Sequence, residues 1–210
     1  MSPTLGVRTT PSPLTWPSLK PGMAWHHIIP FAALQTVWNR LVDQFIGTQI
    51  PESRTAIRQY LLLSGANDPG LEQQLNRMRA GAQRRAGHHI LLPLNDGEVL
   101  KLQEFAVWPA WNAVEGPRGE NRTDDPGGAA LDRFTCGLRP EESARMRTIE
   151  ALFPQLQAFI ACGENPGPAA LRSLAQAASA ARPTLQGAKP MEYRPDMWVP
   201  DGPGKWRKCK

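Results

Sequence analysis

No apolar stretch in the 210 residues approaches bilayer-spanning length, and the amino terminus lacks the charged-then-apolar layout of a secretory signal. No membrane segment is therefore expected, and any export would depend on a dedicated delivery system. Cysteine is scarce. Cys136, Cys162 and Cys209 form no Cys-x-x-Cys pair, and their odd number supplies no complete disulfide framework, which suits work in a reducing cytosol. No long repeat is present, which excludes solenoids and propellers. Acidic residues are missing from a cluster made of Arg77, Arg79, Arg84 and Arg85, and they are outnumbered in the tail. From Arg182 to Lys210 seven basic residues face three acidic ones, so this stretch, with Lys205, Arg207 and Lys208 near its end, holds most of the net charge of +5. Such patches suit phosphate backbones, because lysine and arginine displace condensed counterions on binding; a merely soluble basic surface is the plainer alternative.

The length fits one domain with terminal appendages. Residues 1–22 hold five prolines and few large apolar side chains, and read as an extended leader or linker. The folded part is expected over 23–181. From Phe31, the residues Leu34, Trp38, Leu41, Val42 and Phe45 recur at helical spacing. Further helical patterns cover Glu52 to Leu63, Leu71 to Ala80, Pro140 to Ile160 with a kink expected at Pro154, and Pro168 to Ala181. Between Ile90 and Val114 the pattern changes to short strands, with Asp96-Gly97 as a hairpin signal and Pro93 confining its strand to an edge. The class is α+β and mainly helical. Residues 182–210 read as a basic, proline- and glycine-rich tail lying extended over the domain surface.

What is abundant is histidine in pairs. All four histidines fall in two doublets, His26-His27 and His88-His89, each opening a His-His-Ile phrase followed shortly by proline. Imidazole binds divalent metals and exchanges protons near neutral pH, and two neighbours on an extended segment can divide those tasks. Metal-assisted hydrolysis is the leading chemistry. The other dense segment is Trp108-Pro-Ala-Trp-Asn112-Ala-Val-Glu-Gly-Pro117, followed by Arg118, Arg122, Asp124, Asp125, Pro126 and Gly127.

Together, Trp-His-His-Ile-Ile-Pro-Phe, Trp-Asn-Ala-Val-Glu-Gly-Pro and Asp-Asp-Pro-Gly resemble the HNH, or ββα-metal, nucleases. More closely they resemble HNH-type toxin domains of bacterial polymorphic toxins and secretion-system effectors. The resemblance covers about Met23 to Phe134. It implies a small antiparallel hairpin in a ββα-metal-like core, with the helical layer and His88-His89 inserted between the two motif segments. It implies His26 as metal ligand, His27 as general base and Asn112 as the residue orienting it, with Asp124 and Asp125 where many members place a histidine. Carboxylates there favour an oxygen-seeking cation, Mg2+ first, with Mn2+ or Zn2+ as alternatives. Arg122 or Arg118 would offset the charge of the transition state.

The function this implies is a metal-dependent endonuclease, with DNA as the favoured substrate, delivered into a target-cell cytoplasm as an antibacterial toxin and neutralised in its producer by an acidic immunity protein. Two alternatives stand beside it. One is a non-catalytic nucleic-acid-binding or effector adaptor module, and the other is a zinc metallohydrolase using all four histidines on a different substrate. Plainer roles also compete at single positions: Asn112 capping a turn, Asp124-Asp125-Pro126 starting a helix, and His88 and His89 packing or lying at the surface.

Overall fold

Proline stands at the entrance of helix after helix, where its missing N–H costs nothing and its fixed φ suits the first turn. The computed structural model describes residues 18–48, 50–66, 68–80, 82–85, 88–91, 102, 104–126 and 130–209. In chain order it contains β1 (Met23–His27), α1 (Phe31–Gly47), α2 (Pro51–Leu63), α3 (Asp68–Ala80), β2 (Ala82–Arg85), β3 (His88–Leu91), β4 (Ala113–Pro117), α4 (Pro140–Ala161), α5 (Pro168–Leu185), β5 (Trp198–Pro200) and β6 (Trp206–Lys208). The protein is α+β. Pro30 precedes α1, while Pro51, Pro140 and Pro168 are the first residues of α2, α4 and α5. The apolar spacing from Phe31 becomes the buried face of α1, with Leu34, Trp38, Leu41, Val42 and Phe45 all out of solvent. α2 packs most extensively on α5, α5 on α4, and α1 on α2 and α4, so these four helices form the main core.

Among the described residues the sheets are two-stranded and antiparallel: β1 with β4, β2 with β3, and β5 with β6. The first ladder matters most, because it pairs Met23 with Pro117 and His27 with Ala113, closing the long excursion between the two motif segments. β4 is buried along its whole length. On its far side Met191 bridges to it, giving its N–H to Ala113 O at 2.8 Å and accepting from the Glu115 N–H at 2.8 Å. The segment ahead of β4 is pinned to the end of α2 by two side chains. The Trp111 Nε1–H donates to Leu63 O at 3.0 Å, and the Tyr60 hydroxyl donates to Ala106 O at 2.9 Å.

Four expectations need correction. Glu104–Val107, expected as strand, is helical, because Leu102, Ala106 and Val107 bury one helical face; the Asp96-Gly97 turn lies outside the described residues. α5 continues through Pro183 to Leu185, so the boundary drawn after residue 181 falls inside a helix. The tail lies over the surface only in part, with 201–205 exposed. Met191, Met197 and Trp198 are buried in the core, and the Trp198 indole lies so close to Gly116 that any Cβ there would strike it. Finally, Cys136 and Cys209 form a disulfide across 73 positions with Cα atoms 5.9 Å apart, leaving Cys162 as the free thiol. An odd count excludes a complete framework, but not one bridge plus one thiol.

Candidate functional site

β1 ends in the two histidines, and successive side chains of a strand point to opposite faces. Each imidazole accordingly meets a different environment. His26 faces the tail, with its ring centroid 6.2 Å from that of Trp198. Its Nε2 lies 2.6 Å from the carbonyl oxygen of Pro117, which can only accept, so Nε2 carries the hydrogen and Nδ1 the lone pair. Burial lowers the pKa of His26 and nearby Arg122 lowers it further, against the pull of the Pro117 hydrogen bond, Asp132 and Asp125. The ring is neutral at physiological pH.

His27 turns instead into an aromatic recess, 4.1 Å from the Trp108 ring and 5.7 Å from that of Phe31, centroid to centroid. Burial, with a smaller contribution from His26, pushes its pKa down to about 4. Its Nε2 is shut off from solvent without a hydrogen-bond partner. A buried unpaired nitrogen of this kind costs about 1–3 kcal/mol, so its persistence asks for a reason.

Asn112 is fully buried in a 3-10 turn one residue before β4. Its Oδ1 accepts from the Ile29 N–H at 2.6 Å and its Nδ2 donates to Ile29 O at 2.9 Å, while its own carbonyl accepts from the Ile28 N–H at 2.9 Å. The carboxamide thus grips the backbone two residues past His27 rather than the imidazole. It holds the end of β1 against β4, and sets where both histidines stand through the main chain.

The charged cluster beside His26 centres on Arg122. Its guanidinium makes a bidentate pair with Asp132, at 2.9 and 3.1 Å, with both side chains almost fully out of solvent. It also reaches Asp124 at 3.4 Å and lies 5.0 Å from the Trp198 ring centroid. Burial alone would lower the Arg122 pKa, but hydrogen bonding and charge from Asp132, then Asp124 and Asp125, outweigh it and raise the value. Lys208 adds its ammonium to Asp132 and lies 3.9 Å from Asp124, whose Oδ2 also accepts the Lys208 N–H at 2.9 Å. Asp132 was not singled out in the sequence. Its signal was a lone acidic residue between Leu131 and Phe134, and its backbone N–H donates to Ile28 O at 2.8 Å, docking this segment onto the end of β1. Glu115 was also given no role, yet its buried carboxylate accepts from the N–H groups of Lys20 at 3.0 Å and Tyr193 at 3.1 Å.

No protein-family model, curated protein or solved structure matches this chain. The site therefore has to be read from its own geometry.

The remaining expected residues are dispersed. Arg118 is exposed just after β4, so of the two candidate arginines it is the one open to solvent. His88 and His89 stand on β3, in a different ladder from the first pair, opposite Arg85 and Arg84 respectively. Arg77 and Arg79 close α3, and Arg79 folds back, donating to Phe45 O at 2.7 Å and lying over the Phe45 ring. Lys205 donates to Glu120 O, and Arg207 lies 3.7 Å from Asp201. No α-helix directly follows β4; among residues 118–126 and 130–139 the only helical element is the 3-10 turn Gly119–Asn121.

A divalent ion can be tested against these donors. A histidine that ligates metal characteristically gives its other ring N–H to a carbonyl or carboxylate, and the Pro117 contact puts His26 in that form, with Nδ1 as the ligating nitrogen. Asp125 lies within electrostatic reach of the same ring. Asp124 and Asp132 are engaged on both oxygens by Arg122 and Lys208, so they balance charge in the cluster. Among the described residues no group of three or more His, Cys, Asp or Glu side chains is gathered as a metal site, so His26 and Asp125 would supply at most two of the ligands of an ion such as Mg2+ or Mn2+.

Proposed function

We propose that the chain is an HNH-like, metal-dependent endonuclease that hydrolyses phosphodiester bonds, with DNA as the favoured substrate. The observation that carries this reading is the β1–β4 ladder. It joins the His-His and Asn-containing segments, places a neutral, ligand-form His26 beside a carboxylate-rich cluster, and has Asn112 gripping the turn that follows. When bound, a divalent cation would polarise the scissile phosphate and offset charge on its leaving oxygen. His26 and Asp125 would be two of the side chains that hold it. His27, neutral above about pH 4, takes the proton of the attacking water once the water reaches Nε2, and that hydrogen bond repairs the unpaired nitrogen. Arg118 contacts the phosphate, and Arg122, committed to Asp132, braces the cluster.

The biological reading is an antibacterial toxin or effector domain, delivered into a target-cell cytoplasm and neutralised by an acidic immunity protein in the producing cell. One observation favours the competing reading of a non-catalytic nucleic-acid-binding module: Nε2 of His27 is shut away from solvent in this conformation. The two separate on incubating plasmid DNA and RNA with wild type and His27→Ala, with Mg2+, Mn2+, Zn2+ or chelator. Chelator-sensitive cleavage that disappears in the variant while DNA binding persists supports the endonuclease. Binding without cleavage under every metal condition defeats it.

A further inference from the structure

The last strand is the short, half-exposed part of the charged cluster. β6 spans only Trp206–Lys208, and all three residues are half-exposed. The turn before it, 201–205, is exposed throughout. Non-covalently, β6 is held by its pairing with β5, by a bridge from Arg122 and the Thr123 N–H donating to Trp206 O at 2.9 Å, by Trp206 packed against the core, and by Lys208 on Asp124 and Asp132 and over the Phe134 ring. Immediately after it, Cys209 donates its N–H to Met197 O at 3.0 Å and is bonded to Cys136. The neighbouring Gly137 is shaped for this approach: its φ is +66°, and a Cβ there would lie 2.8 Å from the Asp196 and Met197 backbone. Both cysteines are half-buried, within reach of a small thiol. The helical core, by contrast, has buried apolar faces of its own and no covalent dependence on the bridge.

We infer that the Cys136–Cys209 bond is a thiol-sensitive latch: oxidised, it keeps β6 and Lys208 seated on the Arg122–Asp132–Asp124 cluster, and its reduction frees β6 while the helical core stays folded. The inference stands whether or not the chain is a nuclease. In the switching step a thiolate of a dithiol reductant attacks one cysteine sulfur, forming a mixed disulfide and releasing the other cysteine as thiolate. The second thiol of the reductant then closes its own disulfide and leaves the protein with two thiols, so two electrons and two protons pass from reductant to protein. With β6 gone, Asp132 and Asp124 lose the lysine, and the cluster beside His26 becomes more negative and more open. A chain oxidised outside cells and reduced in a thiol-rich cytosol would make this transition on arrival.

The test uses the full chain carrying Cys162→Ser, so that the bridging pair holds the only thiols. Trypsin cleavage after Lys205, Arg207 and Lys208 is followed by mass spectrometry in the oxidised and dithiol-reduced protein, with far-ultraviolet dichroism recorded alongside. Cleavage at these sites should be at least about tenfold faster after reduction, as local opening becomes easier, with the helical signal unchanged. Adding Cys136→Ser should reproduce the fast cleavage and abolish its response to dithiol. Equal protection in both states overturns the latch, as does loss of the helical signal together with β6. Alkylation of both cysteines in the non-reduced, denatured protein, showing that the bridge never formed, overturns it too.

Discussion

The two faces of β1 place identical side chains in opposite surroundings. On the His26 face a carbonyl fixes the tautomer, and two buried carboxylate–cation contacts around Arg122 and Lys208 supply charge that is almost internally balanced. On the His27 face the ring meets Phe31 and Trp108, and the imidazole stays neutral because, among the described residues, its buried Nε2 has no hydrogen-bond partner to repay the loss of water. One imidazole beside a charged cluster and one in an apolar recess thus arise from a doublet whose members differ only in strand parity. The doublet also cannot chelate one ion with both rings, because the pleat sends them apart.

The sharpest way to break this comparison is to remove the His27 ring. His27→Ala should lower DNA cleavage about 10²–10⁴-fold, the usual contribution of a general base, with DNA binding by fluorescence anisotropy unchanged. An unaltered cleavage rate would leave the aromatic face a purely structural one.

On the other face the largest effect belongs to Asp132. Asp132→Ala leaves the buried Arg122 guanidinium without its bidentate partner and should destabilise the fold by about 3–5 kcal/mol in urea unfolding. Lys208→Ala, which removes a more exposed charge, should cost much less. Equal losses would mean that the cluster is not organised around Arg122.

Acid should then distinguish the faces. An unfolded histidine titrates near pH 6.5 and folded His27 near pH 4, so between these values the unfolded chain binds a proton that the folded chain does not. Acid therefore favours unfolding across this window. Stability should fall by roughly 3 kcal/mol between pH 6.5 and pH 4 on this account, with the loss from His27 levelling off just below pH 4. His26, also shifted downward, acts in the same direction. Urea midpoints for wild type and His27→Gln over this range measure the contribution, and parallel curves would contradict it.

A smaller effect than the acid loss is expected at the joint between the faces. Asn112→Ala strips the Ile29 N–H and carbonyl of their partners in a buried place and should cost about 1–3 kcal/mol. Asn112→Asp should preserve the bond from the Ile29 N–H and lose the one to its carbonyl, giving a different loss in the same unfolding assay.

Much of the helical scaffold was legible because it is periodic. Leu34, Trp38, Leu41, Val42 and Phe45 announce a buried helical face in any fold that buries one, and the prolines at 51, 140 and 168 announce where helices begin. The doublet at 26–27 and Asn112 were legible as belonging together, and the ladder brings them together. Asn112's partners were not: whether a carboxamide meets an imidazole or a backbone depends on sub-ångström placement that no spacing encodes. Asp132 escaped notice, and Lys208 was legible only as a basic tail residue suited to phosphate, because the two are 76 positions apart and their pairing belongs to no motif. The Cys136–Cys209 bridge escaped for the same reason, since a pairing across 73 positions is visible only after the tail has folded back.

Local sequence by itself determined the helices and their entrances, because propensity, proline stereochemistry and apolar period act over a few residues. Tertiary structure alone decided that the basic tail becomes core through Trp198, that Lys208 spends its charge on Asp132 rather than on solvent, and that neighbouring histidines receive unlike environments. The reason is that burial and charge pairing depend on which distant segments meet, and only the closed chain fixes those meetings.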